Sequence, residues 1–93
     1  MKIIQSRSFE NKIKKFLKQE KGILDTEIKN IIENPLVGEE KKGDLRGLHV
    51  YKFKIKTIHY LLSYRMTHSG LELIMIGPHE NYYRDLKNYL KRR

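Results

Sequence analysis

Apolar residues recur along this chain in two rhythms. Phe9, Ile13, Phe16 and Leu17 stand three or four apart, with Lys12, Lys14, Lys15 and Lys18 filling much of the space around them. That spacing predicts an amphipathic helix over 9–18. Ser8 is placed to cap it, and Glu10 to meet the positive end of the helix dipole. After a break at Lys21-Gly22, the residues Ile23, Leu24, Ile28, Ile31 and Ile32 form a second helical stripe. Asn34-Pro35 ends that stripe, because the residue before a proline is pushed out of the α region. Two amphipathic helices joined by a short turn form an antiparallel hairpin, and its apolar face must cover something.

What it covers is a sheet. Residues 1–5 read as a short strand, and 37–47 as a charged, glycine-bearing loop. From Leu48 the period changes to two. Tyr51, Phe53 and Ile55 point one way, and Lys52, Lys54 and Lys56 the other. A second strand over 58–66 leads through the turn Thr67-His68-Ser69-Gly70 into a third over 71–76, so apolar on both faces that it belongs in the middle of the sheet. Gly77-Pro78 stops it. Asn81 is placed to cap a last helix built on Tyr82, Tyr83, Leu86, Tyr89 and Leu90, closing in Lys91-Arg92-Arg93 as suits a helix C-terminus. The expectation is one α+β domain over 1–93, of order β-α-α-β-β-β-α, with a helical hairpin packed on a twisted antiparallel sheet and a C-terminal helix. The first strand either returns to the sheet or stays an edge.

Charge narrows the range of partners. Twenty Lys and Arg against eleven Asp and Glu leave a net charge of +9, a field that attracts polyanions, nucleic acid above all. Cysteine is absent, which rules out disulfides and thiolate metal sites and fits a reducing cytoplasm. No apolar leader opens the chain, and no run approaches the length of a membrane span.

The sharpest chemical signal is Lys52-Phe53-Lys54-Ile55-Lys56. Three ammonium groups on one strand face repel one another. A solvated face tolerates this through screening; a phosphate-binding face uses it. Seven Lys and Arg against the single acid Asp44 over 41–65 favour phosphate. The four histidines, His49, His59, His68 and His79, lack the close spacing of a zinc site, so neither a metal nor another cofactor is expected. His68 falls in a turn; His49 and His59 fall on strands, at the surface or half-buried. His79 follows a rigid strand end, where a scaffold fixes a side chain that the loop leaves accessible. Imidazole suits proton transfer near neutrality, although a histidine in such a turn is also an ordinary solvated residue. Of Tyr82 and Tyr83, one ring can pack on the sheet while the other stacks on a base. No phosphate-binding glycine loop or hydrolase triad is present.

Taken in order, Asn34-Pro35, Asp44-Leu45-Arg46-Gly47, Tyr51-Lys52-Phe53-Lys54-Ile55, Tyr60-Leu61-Leu62-Ser63-Tyr64 and Ile76-Gly77-Pro78-His79-Glu80-Asn81-Tyr82-Tyr83 resemble the RelE/ParE superfamily of toxins from type II toxin–antitoxin systems, over essentially the whole chain. The resemblance implies a cytoplasmic toxin. In the RelE branch, such a protein enters the ribosomal A site and cuts mRNA by directing the RNA 2′-hydroxyl onto the adjacent phosphate. Lys52 and Lys54 match its basic strand positions. His79 matches the glycine-x-histidine of the YafQ-like branch, where the histidine is the acid–base group. Tyr82 or Tyr83 stands where a C-terminal aromatic stacks or assists. Lys56, Arg65, Arg84, Arg46 and His49 are the expected RNA or phosphate contacts. Where the RelE branch has an arginine in the strand after the lysines, this chain has Leu61, with Arg65 on the same side of the strand. Pro78-His79 stands in the region of a later RelE arginine. These departures favour a histidine-based nuclease and leave open a ParE-like gyrase inhibitor or an inactive antitoxin-binding member. The implied partners are a cognate antitoxin, the ribosome and mRNA, with operator DNA reached through the antitoxin and no membrane.

Overall fold

In the computed structural model, which describes residues 2–93, the elements run β1 (Ile3–Gln5), α1 (Arg7–Ile13), α2 (Lys18–Glu33), β2 (Glu39–Glu40), a 3₁₀ turn (Gly43–Leu45), β3 (His49–Ile55), β4 (Ile58–Thr67), β5 (Gly70–Pro78) and α3 (Tyr82–Arg92). The five strands form one sheet in the order β1-β5-β4-β3-β2. The three long strands pair antiparallel as expected. β1 returns as an edge, parallel to β5, with Ile3 opposite Leu71 and Gln5 opposite Leu73. The two-residue β2 was not legible in the loop and closes the other edge beside Val50 and His49. Among the described residues no helix is long and apolar enough to cross a membrane.

Each face of the sheet carries its own core. Under α1 and α2 lie Phe9, Leu24, Ile31, Phe53, Ile55, Leu62, Tyr64, Leu71, Leu73 and Ile76; under α3 lie Leu45, Leu48, Val50, Leu61, Ile74, Tyr82 and Leu86. The alternation of β3 is as read, with Phe53 and Ile55 buried and Lys52 and Lys54 exposed. Lys56 departs from it. It sits in the two-residue β3–β4 turn with φ 58°, a left-handed position that costs a side chain about 1–2 kcal/mol.

The run Leu71-Glu72-Leu73-Ile74-Met75-Ile76 serves both faces through a bulge. Ser63 lies opposite Met75 and Tyr64 opposite Leu73, so Ile74 is an extra residue. Leu73 and Ile76 go to the hairpin side, and Ile74 and Met75 to the α3 side. Bulges disturb the ladder, and here side chains take up the carbonyls. Ser6 Oγ donates to Ile74 O. The Tyr82 hydroxyl donates to Met75 O at 2.6 Å and lies 2.8 Å from Ser63 Oγ.

The hairpin boundaries differ from the sequence reading. Ser6, not Ser8, caps α1: its Oγ accepts from Phe9 N–H at 3.1 Å while anchored on β5. α1 therefore starts earlier and stops at Ile13. The break falls at Lys14–Leu17, where Phe16 turns in to meet Tyr60 edge-on at 5.7 Å and Glu20 Oε1 accepts from Leu17 N–H at 2.7 Å. Gly22 lies inside α2, a tolerated cost of about 1 kcal/mol. Asn34 ends α2 as expected. Asn81 is the N-cap of α3 by position, but in a left-handed conformation at φ 59° and with no side-chain cap bond.

Candidate nucleic-acid interface

The register of three adjacent strands organises the basic face. The tight turn at Lys56-Thr57 sets Lys54 opposite His59 and Lys52 opposite Leu61. Directly opposed residues share a face, and Leu61 belongs to the core under α3. Lys52, Lys54 and His59 therefore project on the α3 side of the sheet, at the end that α3 leaves uncovered, and all three are exposed. β4 continues the row into β5: Leu61 faces Gly77, Tyr60 faces Pro78, and the His79 N–H donates to His59 O at 3.1 Å. Lys54 and His59 thus face each other on adjacent strands, with backbones about 4.8 Å apart, and the His79 backbone, one residue past the end of β5, continues that row. Lys52 lies about 7 Å along β3 from Lys54. No sequence motif marks His59 as a site residue. The two-residue turn is the signal that finds it, because closing the hairpin at Ile55–Ile58 places residue 59 opposite 54.

His79 is exposed, and its backbone is held on both sides, since its carbonyl also accepts from Tyr82 N–H at 3.3 Å. Two non-glycine residues in left-handed conformations, Lys56 and Asn81, flank this end of the sheet. Lys56 is exposed at the hairpin tip beside the row.

The two tyrosines divide. Tyr82 is 2% exposed, fixed by Ser63 and Met75, and burial holds its hydroxyl well above the usual tyrosine range. Its ring is core. Tyr83 is half-buried and meets Tyr82 edge-on at 5.6 Å. Lys41 Nζ sits 4.9 Å from the centre of the Tyr83 ring and is ion-paired with Glu39. Glu39 lies opposite Val50, so it stands on the α3 face diagonal to Lys52. The ion pair with Lys41 lowers the Glu39 carboxyl below its ordinary value, and the Lys52 charge adds to this. Lys52, Glu39, Lys41 and Tyr83 are therefore continuous. Lys41 and Glu39 escaped the sequence reading because the loop that holds them has no period.

The remaining basic residues lie elsewhere. Arg65 is on the α3 side but four residues beyond Leu61, about 13 Å along the strand. Its guanidinium pairs with Glu72 at 2.9 Å, and Glu72 also holds Arg93 at 2.9 Å. Arg84 is exposed on α3 beside Asp85, 3.2 Å away, and Arg46 is exposed after the 3₁₀ turn. His49 is on the opposite, hairpin face, half-buried and stacked on Tyr64 at 5.4 Å. No group of three or more metal-ligating side chains occurs among the described residues. A cleft of about 460 Å³ lies between α1 and α3, with Arg7, Lys12 and Lys15 on one wall and Glu80 and Asp85 on the other.

The fold and this face can be compared with known proteins. A double mutant of the E. coli toxin RelE, solved in its free state, is 15% identical with a TM-score of 0.68, covering 97% of this chain and 94% of that one. The intact E. coli RelBE toxin–antitoxin complex contains a chain 16% identical with a TM-score of 0.65, covering 84% and 95%. Isolated E. coli RelE gives 16% and 0.62, covering 94% and 96%. At these identities the likeness is one of fold. No curated protein matches. The family model of the ParE-like toxin of type II bacterial toxin–antitoxin systems matches residues 3–87, nearly the whole chain, and the chain belongs to that family.

Proposed function

We propose that this toxin is a ribosome-dependent mRNA endoribonuclease that inhibits translation. The observation that carries the reading is Lys52, Lys54 and His59 together on the uncovered end of one sheet face, with the exposed His79 tied to His59 through its backbone N–H. RNA cleavage by its own 2′-hydroxyl requires that the oriented hydroxyl give up its proton as it bonds to phosphorus to form a 2′,3′-cyclic phosphate, that the phosphate charge be offset, and that the leaving 5′-oxygen receive a proton as its bond to phosphorus breaks. Lys52 and Lys54 serve the phosphate, whose charge grows in the transition state. His79 takes the hydroxyl's proton or gives the leaving 5′-oxygen its proton, general acid–base work worth about 10²–10⁴-fold, and solvent or a ribosomal group exchanges the other. Tyr83, rather than the buried Tyr82, is the aromatic that meets a base. Lys56, Arg84 and Arg46 reach flanking RNA or ribosomal phosphate. Arg65 joins them only by leaving Glu72, and His49, on the hairpin face, only by contacts around the β2 edge.

With so few groups, the ribosome supplies part of the geometry. A cognate antitoxin covering the basic face would neutralise the toxin, and the pair would reach operator DNA through the antitoxin. The experiment is primer-extension mapping of mRNA on programmed ribosomes with wild type and His79→Ala side by side. Discrete A-site cuts that vanish in the variant are expected.

A second reading, non-enzymatic inhibition of gyrase, is favoured by Leu61 and by an imidazole at His79 that has no side-chain partner among the described residues. It requires that a stably folded His79→Ala toxin still arrest growth and alter plasmid supercoiling. An inactive antitoxin-binding member would leave growth normal at verified protein levels.

A further inference from the structure

The loop after β2 and the α3 helix enclose a groove that the row of lysines and histidines does not use. Its upper part, about 250 Å³, is lined by Lys41, Lys42, Asp44, Leu45, Tyr83 and Lys87. An adjoining cavity of about 500 Å³ shares Asp44, Leu45 and Lys87 with it and is lined also by Leu90 and Lys91. On α3, Tyr83, Lys87 and Lys91 are spaced by four and form one stripe. Like charges at that spacing destabilise a helix by a few tenths of a kcal/mol, a cost that a bound polyanion removes. Four lysines line the groove against one acid, Asp44.

The groove is also continuous with the basic strand. Glu39 stands between Lys52 and Lys41, on the same face as both the strand lysine and the helix. Its side chain is 74% exposed while that of Lys41 is 22% exposed. The carboxylate thus faces solvent, while the ammonium is held against the Tyr83 ring. The Tyr83 ring is itself braced against the fixed Tyr82. An aromatic wall, a cation on its face and further cations four residues apart suit a single-stranded nucleic acid, whose bases stack and whose phosphates repeat.

We propose that this groove is a second phosphate site for single-stranded RNA, in which Lys41, Lys42 and Lys87 take phosphates flanking the one at Lys52 and Lys54, and Glu39 occupies Lys41 in the free protein until RNA displaces it. The inference rests on the RNA reading above but not on cleavage. Glu39 acts as an internal competitor, so removing its charge strengthens RNA binding, whereas removing the lysine charges weakens it.

The test uses the full chain and a short, fluorescein-labelled, single-stranded 2′-O-methyl RNA, which lacks the attacking hydroxyl, with anisotropy read across about 50–200 mM salt. Lys41→Ala and Lys87→Ala are each expected to flatten the slope of log affinity against log salt by about 0.7, one single-strand phosphate contact. Glu39→Gln is expected to tighten binding by about two- to five-fold, the range of an exposed ion pair. Lys29→Ala, on the exposed side of α2 across the sheet, keeps the wild-type slope. The altered side chains are exposed or at the surface, and an unchanged melting temperature verifies the fold. If both groove variants keep the wild-type slope while Lys52→Ala loses it, or if Lys29→Ala loses as much as they do, the groove is not a phosphate site and the RNA reading stands alone. If wild type binds no RNA, both fall. If the groove lysines govern binding of a glutamate-rich peptide but not of RNA, the groove belongs to an acidic protein partner and the proposal is overturned.

Discussion

Replacing Tyr82 by phenylalanine separates a structural tyrosine from a functional one. The ring is 2% exposed, and the substitution removes one oxygen without opening a large cavity. What it removes is the partner of Met75 O, 2.6 Å away at the β5 bulge, and of Ser63 Oγ, 2.8 Å away. A buried acceptor left bare costs about 1–3 kcal/mol. Ser63 Oγ already lies 3.3 Å from Met75 O and can turn its proton wholly to that carbonyl, which places the expected loss near 1.5 kcal/mol. In a chain of this length, that lowers the melting temperature by about 6–12 °C.

The hydroxyl also sets a pH dependence. Burial raises its pKa above the ordinary value of about 10. Above that value the unfolded chain gives up the proton and the folded chain keeps it. The unfolded state then binds fewer protons, so stability is complete below about pH 10 and falls as pH rises beyond it, by up to about 1.4 kcal/mol per unit. Tyr51 and Tyr64, both raised chiefly by burial, add to the same slope. Urea denaturation of wild type and Tyr82→Phe at pH 7, and at several values above 10, measures both effects. The variant should be weaker at pH 7 and lose less thereafter. A variant as stable as wild type at pH 7 would refute the buried bond. A stable variant that has lost toxicity would move the hydroxyl from the core into the chemistry.

Ser6→Ala removes the α1 cap and the donor to Ile74 O together, and should cost about 2–3 kcal/mol in chemical denaturation. Gly38→Ala drives a Cβ to 2.7 Å from the Tyr64 hydroxyl, which accepts from Gly38 N–H at 2.9 Å and donates to Pro35 O at 2.7 Å; an expected loss of about 1–3 kcal/mol should appear as a lower urea midpoint. Lys56→Gly relieves a left-handed side chain and should raise stability by about 1 kcal/mol in the same assay; on the proposed nuclease reading it should also weaken mRNA cleavage through the lost charge.

The long periodic segments were legible because burial imposes their period. α2, the alternation of β3 and the start of α3 each follow from apolar spacing, and Asn34-Pro35 ends α2 for a steric reason that one dipeptide carries. Illegible features depended on partners distant in sequence. Ser6 rather than Ser8 caps α1 because a carbonyl 68 residues away, at Ile74, holds its hydroxyl. The bulge at Ile74–Met75 hides in an unbroken apolar run, and β2 is too short to show a period. Lys52 and Lys54 could be found as a strand face, and His79 as the residue after a rigid stop. Their common row is a matter of register, which the reading of Lys56 as a strand residue obscured.

The two faces of the sheet explain why the site lies where it does. The hairpin face is covered by two helices. On the other, α3 covers the middle through Tyr82 and Leu86, and the end that carries Lys52, Lys54 and His59 stays open. A third layer there would bury more apolar area, yet it would also have to desolvate ammonium groups that form no ion pair among the described residues, since the nearby Glu39 is paired with Lys41, a cost of several kcal/mol per ion. Leaving that end open avoids the cost and keeps the like charges in water, where screening holds their repulsion to a modest level. Glu39 then has a clear role at the border: it is the acid on this face closest in register to the lysine strand, it pairs with Lys41 instead of folding under cover, and its exposure makes the pairing weak. The open sheet end thus gives up apolar burial for a basic surface that a polyanion can cover, and a weak internal ion pair is easily exchanged for that polyanion.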